Sequence, residues 1–347
     1  MTTQAVGAPR LGTFGRYTLP LAALAALAVL VVLAFAVGRF PVTLGDLFTA
    51  TLGKLLGSDR QVPATVETVI YQVRGPRVMA ALVVGAALAT AGAAYQGMFR
   101  NPLVSPDILG VSSGAALGAA LAIFLSWDLV GIQALAFIGG LLAVGMVYAV
   151  GASLRGRDPL LTLILAGVVI GTLLGSCVSL LKYLADPYNQ LPAITFWLLG
   201  SLAAASPADL KVVVPTVVLG LVPLVLLRWR MNLMTLPDDE ARALGVDTRR
   251  LRLAVICAAT LITAASVAVS GIIGWIGLLV PHAARMLVGP GFARMLPMTM
   301  ILGAGFMLAV DTLARTVATL EVPPGVLTAV LGTPLFLWLL AKSRRAW

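Results

Sequence analysis

Three arginines and one run of acids are the residues of this chain best suited to recognising another charged group. Arg74 and Arg77 stand three positions apart in Arg74-Gly-Pro-Arg77, and Arg315 follows Asp311 by four. A guanidinium grips a carboxylate through two parallel charge-assisted hydrogen bonds, so such arginines can receive acidic groups of a partner. They can equally anchor helix ends at lipid headgroups, and Asp311 can claim Arg315 across one helical turn. The acids lie in a charged island, Leu236 to Arg252, set in apolar sequence. Pro237, Asp238, Asp239 and Glu240 open it with negative charge in a first helical turn, where the helix dipole favours it. Ala241, Arg242 and Leu244 continue a short helix that Gly245 is suited to end, and a second short helix can start at Asp247. Two short helices in one loop make a compact knob for gripping something soluble; a plain solvated loop is the alternative.

Bond-making chemistry has no comparable foothold. His282 is the single histidine, with no second His, Cys or carboxylate nearby in sequence. A metal site needs several such ligands, so neither metal ligation nor catalysis is expected. Cys177 and Cys257 both lie in apolar runs and read as buried small hydrophobes. No G-x-x-x-x-G-K-[ST] phosphate loop occurs, so ATP cannot be bound in that manner, and no cofactor is expected on this chain.

The elements that must position these groups are membrane spans. The chain is 60% hydrophobic and 11% charged over 347 residues, with a mean hydropathy of +1.00. A soluble domain averages about 45–50% apolar and about 25% charged, so lipid must be the solvent for much of the sequence. Crossing a bilayer takes about 20 apolar residues. Uncharged runs of that kind start at Tyr17, Val78, Ile108, Leu129, Pro159 and Val322. Shorter ones begin at Val212 and Met295, and Leu253 to Ala284 divides in two at Gly271-Ile-Ile-Gly274. The expectation is an all-α integral membrane protein of ten spans in one domain over 1–347, with a loop at 234–250 between spans six and seven. Ser105-Pro106, Asp158-Pro159 and Ser206-Pro207 each pair a capping residue with proline at a first helical position. Gly85, Ala89 and Ala93 stand four apart, as do Gly114 and Gly118, so their helices can approach closely.

Orientation follows from the cations. With the N-terminus inside, inner loops and tails hold 16 of the 24 Lys and Arg, and the 14 acids show no such bias. That is the positive-inside pattern. It places residues 1–16, the 234–250 loop and both termini in the cytoplasm, and it makes the net charge of +10 a membrane signature and not one of nucleic-acid binding. Spans two to five and seven to ten start on opposite sides, which permits an inverted repeat.

Arg74-Gly-Pro-Arg77, Gly85-Ala-Ala-Leu-Ala-Thr-Ala-Gly92 and the block from Gln96 to Gly114 closely resemble the second and third spans of FecCD-type permeases. These are the membrane subunits of type II ABC importers for ferric siderophores, haem and cobalamin. Phe196-Trp-Leu-Leu-Gly-Ser-Leu202, Glu240-Ala-Arg-Ala-Leu-Gly245, Gly277 to Arg285, Asp311-Thr-Leu-Ala-Arg315 and Pro324 to Pro334 extend the resemblance over roughly residues 17–342. It implies a bacterial inner-membrane permease without an ATPase site of its own, taking up a ferric siderophore, with haem or cobalamin as the alternative cargo. Its partners would be a second permease copy, cytoplasmic ABC ATPase subunits holding ATP and Mg, and a periplasmic or lipid-anchored binding protein. The island becomes the coupling element for the ATPase, and Arg74, Arg77 and Arg315 become docking points for the binding protein's acids. Asn101 and Leu103, in a proline-broken turn, would close an inner gate opposite Leu160, Leu161 and Thr162. Gln96, Ser176 and Ser179 are candidate pathway residues, or helix–helix hydrogen bonds. An ion-coupled secondary transporter is the distant rival; it would place ionisable residues at mid-membrane.

Overall fold

Charge inside an apolar helix does not end the helix when the charge is paired, and this shapes the architecture. The computed structural model describes residues 15–38, 40–56, 62–153 and 159–343. Most of the expected tail 1–16, the Asp158 cap and Arg155, Arg157, Arg344 and Arg345 lie outside the described residues. Every regular element among the described residues is a helix. Helix α1 (Gly15–Ala36) is followed by the short α2 (Leu44–Leu56) and α3 (Ala64–Thr68). A π-helical stretch, Val69–Arg74, then leads without a break into α4 (Gly75–Met98). After a 3-10 turn at Pro106–Leu109 come α5 (Val111–Phe124), α6 (Leu129–Ser153), α7 (Pro159–Leu184), the short α8 (Gln190–Leu198) and α9 (Pro207–Met231). The island forms α10 (Asp238–Ala243), and α11 (Thr248–Ser270), α12 (Ile276–Val288), α13 (Phe292–Thr316) and α14 (Pro324–Ser343) complete the chain.

Seven helical stretches have the length and hydropathy to cross a bilayer, while α5, α12 and most of α14 are apolar but shorter. Helices α4 and α11 form the core, with Tyr95 and Thr260 sharing a buried hydrogen bond of 3.1 Å. Outer helices such as α7 and α9 expose leucines and valines, among them Val169, Leu173, Leu219 and Leu226. The lengths repeat: α4 to α7 have 24, 14, 25 and 26 residues, and α11 to α14 have 23, 13, 25 and 20. In both halves a long helix precedes one half as long, the pattern an inverted repeat would give.

The small residues do what their spacing suggests. A Cβ on Gly85 would lie 2.2 Å from the Gly303 carbonyl oxygen of α13, one on Gly114 2.3 Å from that of Gly139 on α6, and one on Gly92 1.8 Å from that of Gly277 on α12. Backbone cannot yield there as a side chain can. Gly92→Val is therefore expected to exceed the ~1–3 kcal/mol typical of overpacking. A detergent thermal-unfolding scan should show it, with Gly92→Ala already impaired.

Two local expectations are corrected and one holds. Ser105-Pro106 begins only the 3-10 turn; Ser105 makes no side-chain cap, and α5 starts at Val111 after the left-handed Gly110. Ser206 does cap α9, in a box with Asp209. Cys257 is exposed and Cys177 half-buried, so neither is a core residue.

Candidate functional site

The island is built outward from one carboxylate. Asp238, at the first turn of α10, accepts from Arg100 Nη2 at 3.1 Å and from Arg252. Arg100 also donates to the Met234 carbonyl at 2.9 Å. Burial alone would raise the Asp238 carboxyl, but the hydrogen bonds and charges of Arg252 and Arg100 outweigh it and hold the group below its ordinary value. The short helix is thereby tied to the turn after α4 and to the start of α11. Ala241 faces inward and is fully buried. Gly245, at φ +80°, closes α10, with its N–H on the Arg242 carbonyl. Pro237, Asp239, Glu240, Arg242 and Leu244 are exposed. The second short helix expected at Asp247 is absent: Asp247 caps α11 itself, its Oδ1 accepting from the Arg250 N–H at 3.0 Å, and the chain runs straight into the 23 residues of that helix. The knob is one rigid turn on the end of a long helix.

The three arginines converge, but inward. Arg77 Nε donates to both oxygens of Asp311 at 2.9 and 3.1 Å, and Nη1 and Nη2 meet the two oxygens of Glu321 at 3.0 Å each. Arg315 Nε lies 3.3 Å from Asp311, and its Nη2 donates to the Ala34 carbonyl of α1 at 3.1 Å. Arg74 donates to the Phe35 and Phe40 carbonyls, where a Cβ on Gly38 would strike its guanidinium. All three arginines are buried, and Asp311 is fully so. The expectation that Arg74 and Arg77 stand free at the mouth of a span is therefore corrected: their donors are spent tying α1, α4, α13 and the loop before α14 together. Glu321, side chain 38% exposed, is the member sequence reasoning missed; nothing in the sequence marks it beyond its place in a polar loop.

At the opposite end Asn101 is exposed and turns back on itself, its Oδ1 accepting from the Leu103 N–H at 2.9 Å, so that Leu103 projects at 54% exposure. Leu161 is likewise exposed, Leu160 half-buried and Thr162 buried, which removes Thr162 from any exposed gate surface. Gln96 is not exposed. It is buried, donating to the Gly277 and Leu278 carbonyls and accepting from Arg285 at 3.2 Å, and so joins α4 to α12. Ser176 and Ser179 are exposed on α7 but bond to the carbonyls four residues back. His282 is buried with its ring 6.2 Å from that of Phe336.

Comparison with known proteins agrees with this arrangement. The model of the FecCD transport family matches residues 26–342, and the chain belongs to that family. It is 40% identical to the molybdate import system permease protein MolB of Haemophilus influenzae, covering 92% of this chain and 94% of that protein. It is 41% identical to the cobalamin import system permease protein BtuC of Halobacterium salinarum, over 80% of this chain and 75% of that one. A solved structure described as an inward-facing conformation of a putative metal-chelate type ABC transporter superposes with a TM-score of 0.85 at 38% identity, covering 93% of this chain and 99% of the other. Nearly the whole chain is thus an ABC-importer permease, a class of subunit without an ATPase site of its own.

Proposed function

We propose that this FecCD-family chain is the permease subunit of a binding-protein-dependent importer that carries a ferric siderophore across the bacterial inner membrane, with both termini cytoplasmic. The observation that carries the reading is the island: clamped at Asp238 and Ala241, yet presenting Asp239, Glu240, Arg242 and Leu244 outward. That is the form of a lever, rigid at its root and open at its tip. On this reading the three shorter apolar helices join the seven long ones as crossings, giving ten. ATP and Mg reside on a separate ATPase, and no cofactor is held here.

Two copies pairing through the exposed apolar faces of α7 and α14 would enclose a path between them, with Asn101, Leu103 and Leu161 at its inner mouth and Ser176 and Ser179 along its wall. Docking of a binding protein through Arg74, Arg77 and Arg315 then requires an incoming carboxylate to displace Glu321, the most exposed member of that cluster. Haem and cobalamin remain the alternative cargoes, and the resemblance to a molybdate permease adds an oxyanion to them.

The test is reconstitution of the chain with its ATPase and binding protein in liposomes, measuring uptake of a ferric siderophore, haem, cobalamin and molybdate side by side. ATP-dependent uptake of the ferric chelate supports the whole reading. Uptake of another cargo retains the mechanism and replaces the substrate. Uptake driven by an ion gradient without ATP would sink it.

A further inference from the structure

The break between α4 and α5 carries a carboxylate to a depth where carboxylates are rarely tolerated. Three neighbours fix that depth. The Val111 carbonyl lies against Gly140, that of Ile108 against Gly167, and Pro106 against Gly277. At 1.5 Å per residue these contacts stand about 20, 12 and 17 Å from the ends of α6, α7 and α12 at Ser153, Pro159 and Val288. A hydrocarbon core is about 30 Å thick, so Asp107, beside Ile108, sits near its middle. Asp107 is nonetheless exposed. It lines a narrow crevice with Ser105, Ser112 and Trp275. Its Oδ1 accepts from the Ser112 hydroxyl, and among the described residues no Lys or Arg pairs with it.

An unpaired carboxylate at mid-membrane is too costly to face lipid, and such groups face bundle interiors or water-filled cavities. The crevice also receives the first turns of α5 and α12, two half-length helices whose N-termini meet there. Each N-terminus is equivalent to about half a positive charge, a field that would by itself hold an anion. The single charge of Asp107 is of the size needed to cancel both.

We propose that Asp107 sets the charge of the mid-membrane path, cancelling the field of the two half-helices, so that the chain passes neutral or cationic chelates and disfavours oxyanions such as molybdate. The cargo class rests on the importer reading above; the local charge does not.

The test separates the two. In a Cys177→Ser/Cys257→Ser background, Ser105→Cys places a thiol in the crevice. Its reaction rates with a cationic and an anionic methanethiosulfonate are measured on the purified chain in nanodiscs. Adding Asp107→Asn is expected to lower the cation-to-anion rate ratio about tenfold, as loss of one nearby charge should, and Asp107→Glu is expected to restore it. An unchanged ratio, or a thiol that neither reagent reaches, overturns the proposal and leaves Asp107 a local brace for Ser112. In liposomes with ATPase and binding protein, wild-type uptake of a neutral ferric trihydroxamate without molybdate supports the cargo class, and molybdate uptake overturns it. Failure of all ATP-driven uptake falls on the importer reading, and the rate ratio still decides the role of Asp107.

Discussion

Replacing Asp311 with alanine is expected to be among the most damaging single changes in this chain, costing about 3–5 kcal/mol, the range for breaking a buried ion pair by removing one partner. Asp311 is the only fully buried carboxylate of the arginine cluster and touches both Arg77 and Arg315. Without it two buried guanidiniums face each other across α4 and α13, with Glu321 left to serve Arg77 alone. Thermal unfolding in detergent should fall steeply for Asp311→Ala. Glu321→Gln should cost far less, because Glu321 is partly solvated and keeps its hydrogen-bonding capacity. Equal losses in the two variants would mean that Arg77 draws its support mainly from Glu321 and that the hierarchy drawn from burial is wrong. A binding-protein pull-down on the same variants separates roles. If docking proceeds by displacement of Glu321, Glu321→Gln should strengthen capture even where it leaves stability nearly unchanged.

That cluster also shows why part of the chain was readable and part was not. Runs of uncharged residues located the long helices to within a few positions, because apolar length is what a bilayer demands. Charge counting then placed the second span's start at Val78, whereas the helix runs unbroken from Ala64 through the π stretch. The cause is pairing: Arg74 and Arg77 can lie in a buried helix because carbonyls of the segment after α1 and the acids Asp311 and Glu321 meet them, and those partners are 34 to 244 residues away in sequence. No local pattern announces them. Asp107 failed in the opposite direction. Standing just before the uncharged run that starts at Ile108, it reads as a residue of the membrane edge, yet it lies deep because the chain breaks inside the membrane, and Ser105-Pro106 looks the same in either place. α2 is legible in the sequence, since Thr43-Leu-Gly-Asp46 forms a reciprocal cap before an amphipathic run. The island's composition gave the first helix correctly, but the helix beginning after Asp247 is α11 itself, because Thr248 and Leu251 are buried and the apolar periodicity never stops.

Continuity with α11 makes the island's surface separable from its root, and this separation underlies the second large effect. Reversing Arg242 to glutamate together with Leu244→Asp is expected to reduce ATPase capture at least a hundredfold, about 2.8 kcal/mol at 1.4 kcal/mol per tenfold, while leaving the unfolding temperature of the isolated chain unchanged. Leu244 is 62% exposed at the tip, and the Arg242 side chain is 63% exposed, with Asp239 no nearer than 4.0 Å. An apolar side chain held out beside a cation on a rigid turn has no folding role here, and it is the kind of group that gains from being buried in a partner's cleft. Ala241→Glu supplies the contrast. It forces a charge into a fully enclosed site and should lose both ATPase capture and stability. If the surface pair destabilises the chain as much as Ala241→Glu, the island is a structural brace. If it does neither, coupling runs through another face, the nearest being Asn101 and Leu103. Only loss of capture with intact stability fits a lever whose motion is transmitted through Asp238 to Arg100 and Arg252, and so to the ends of α4 and α11 at the core of the bundle.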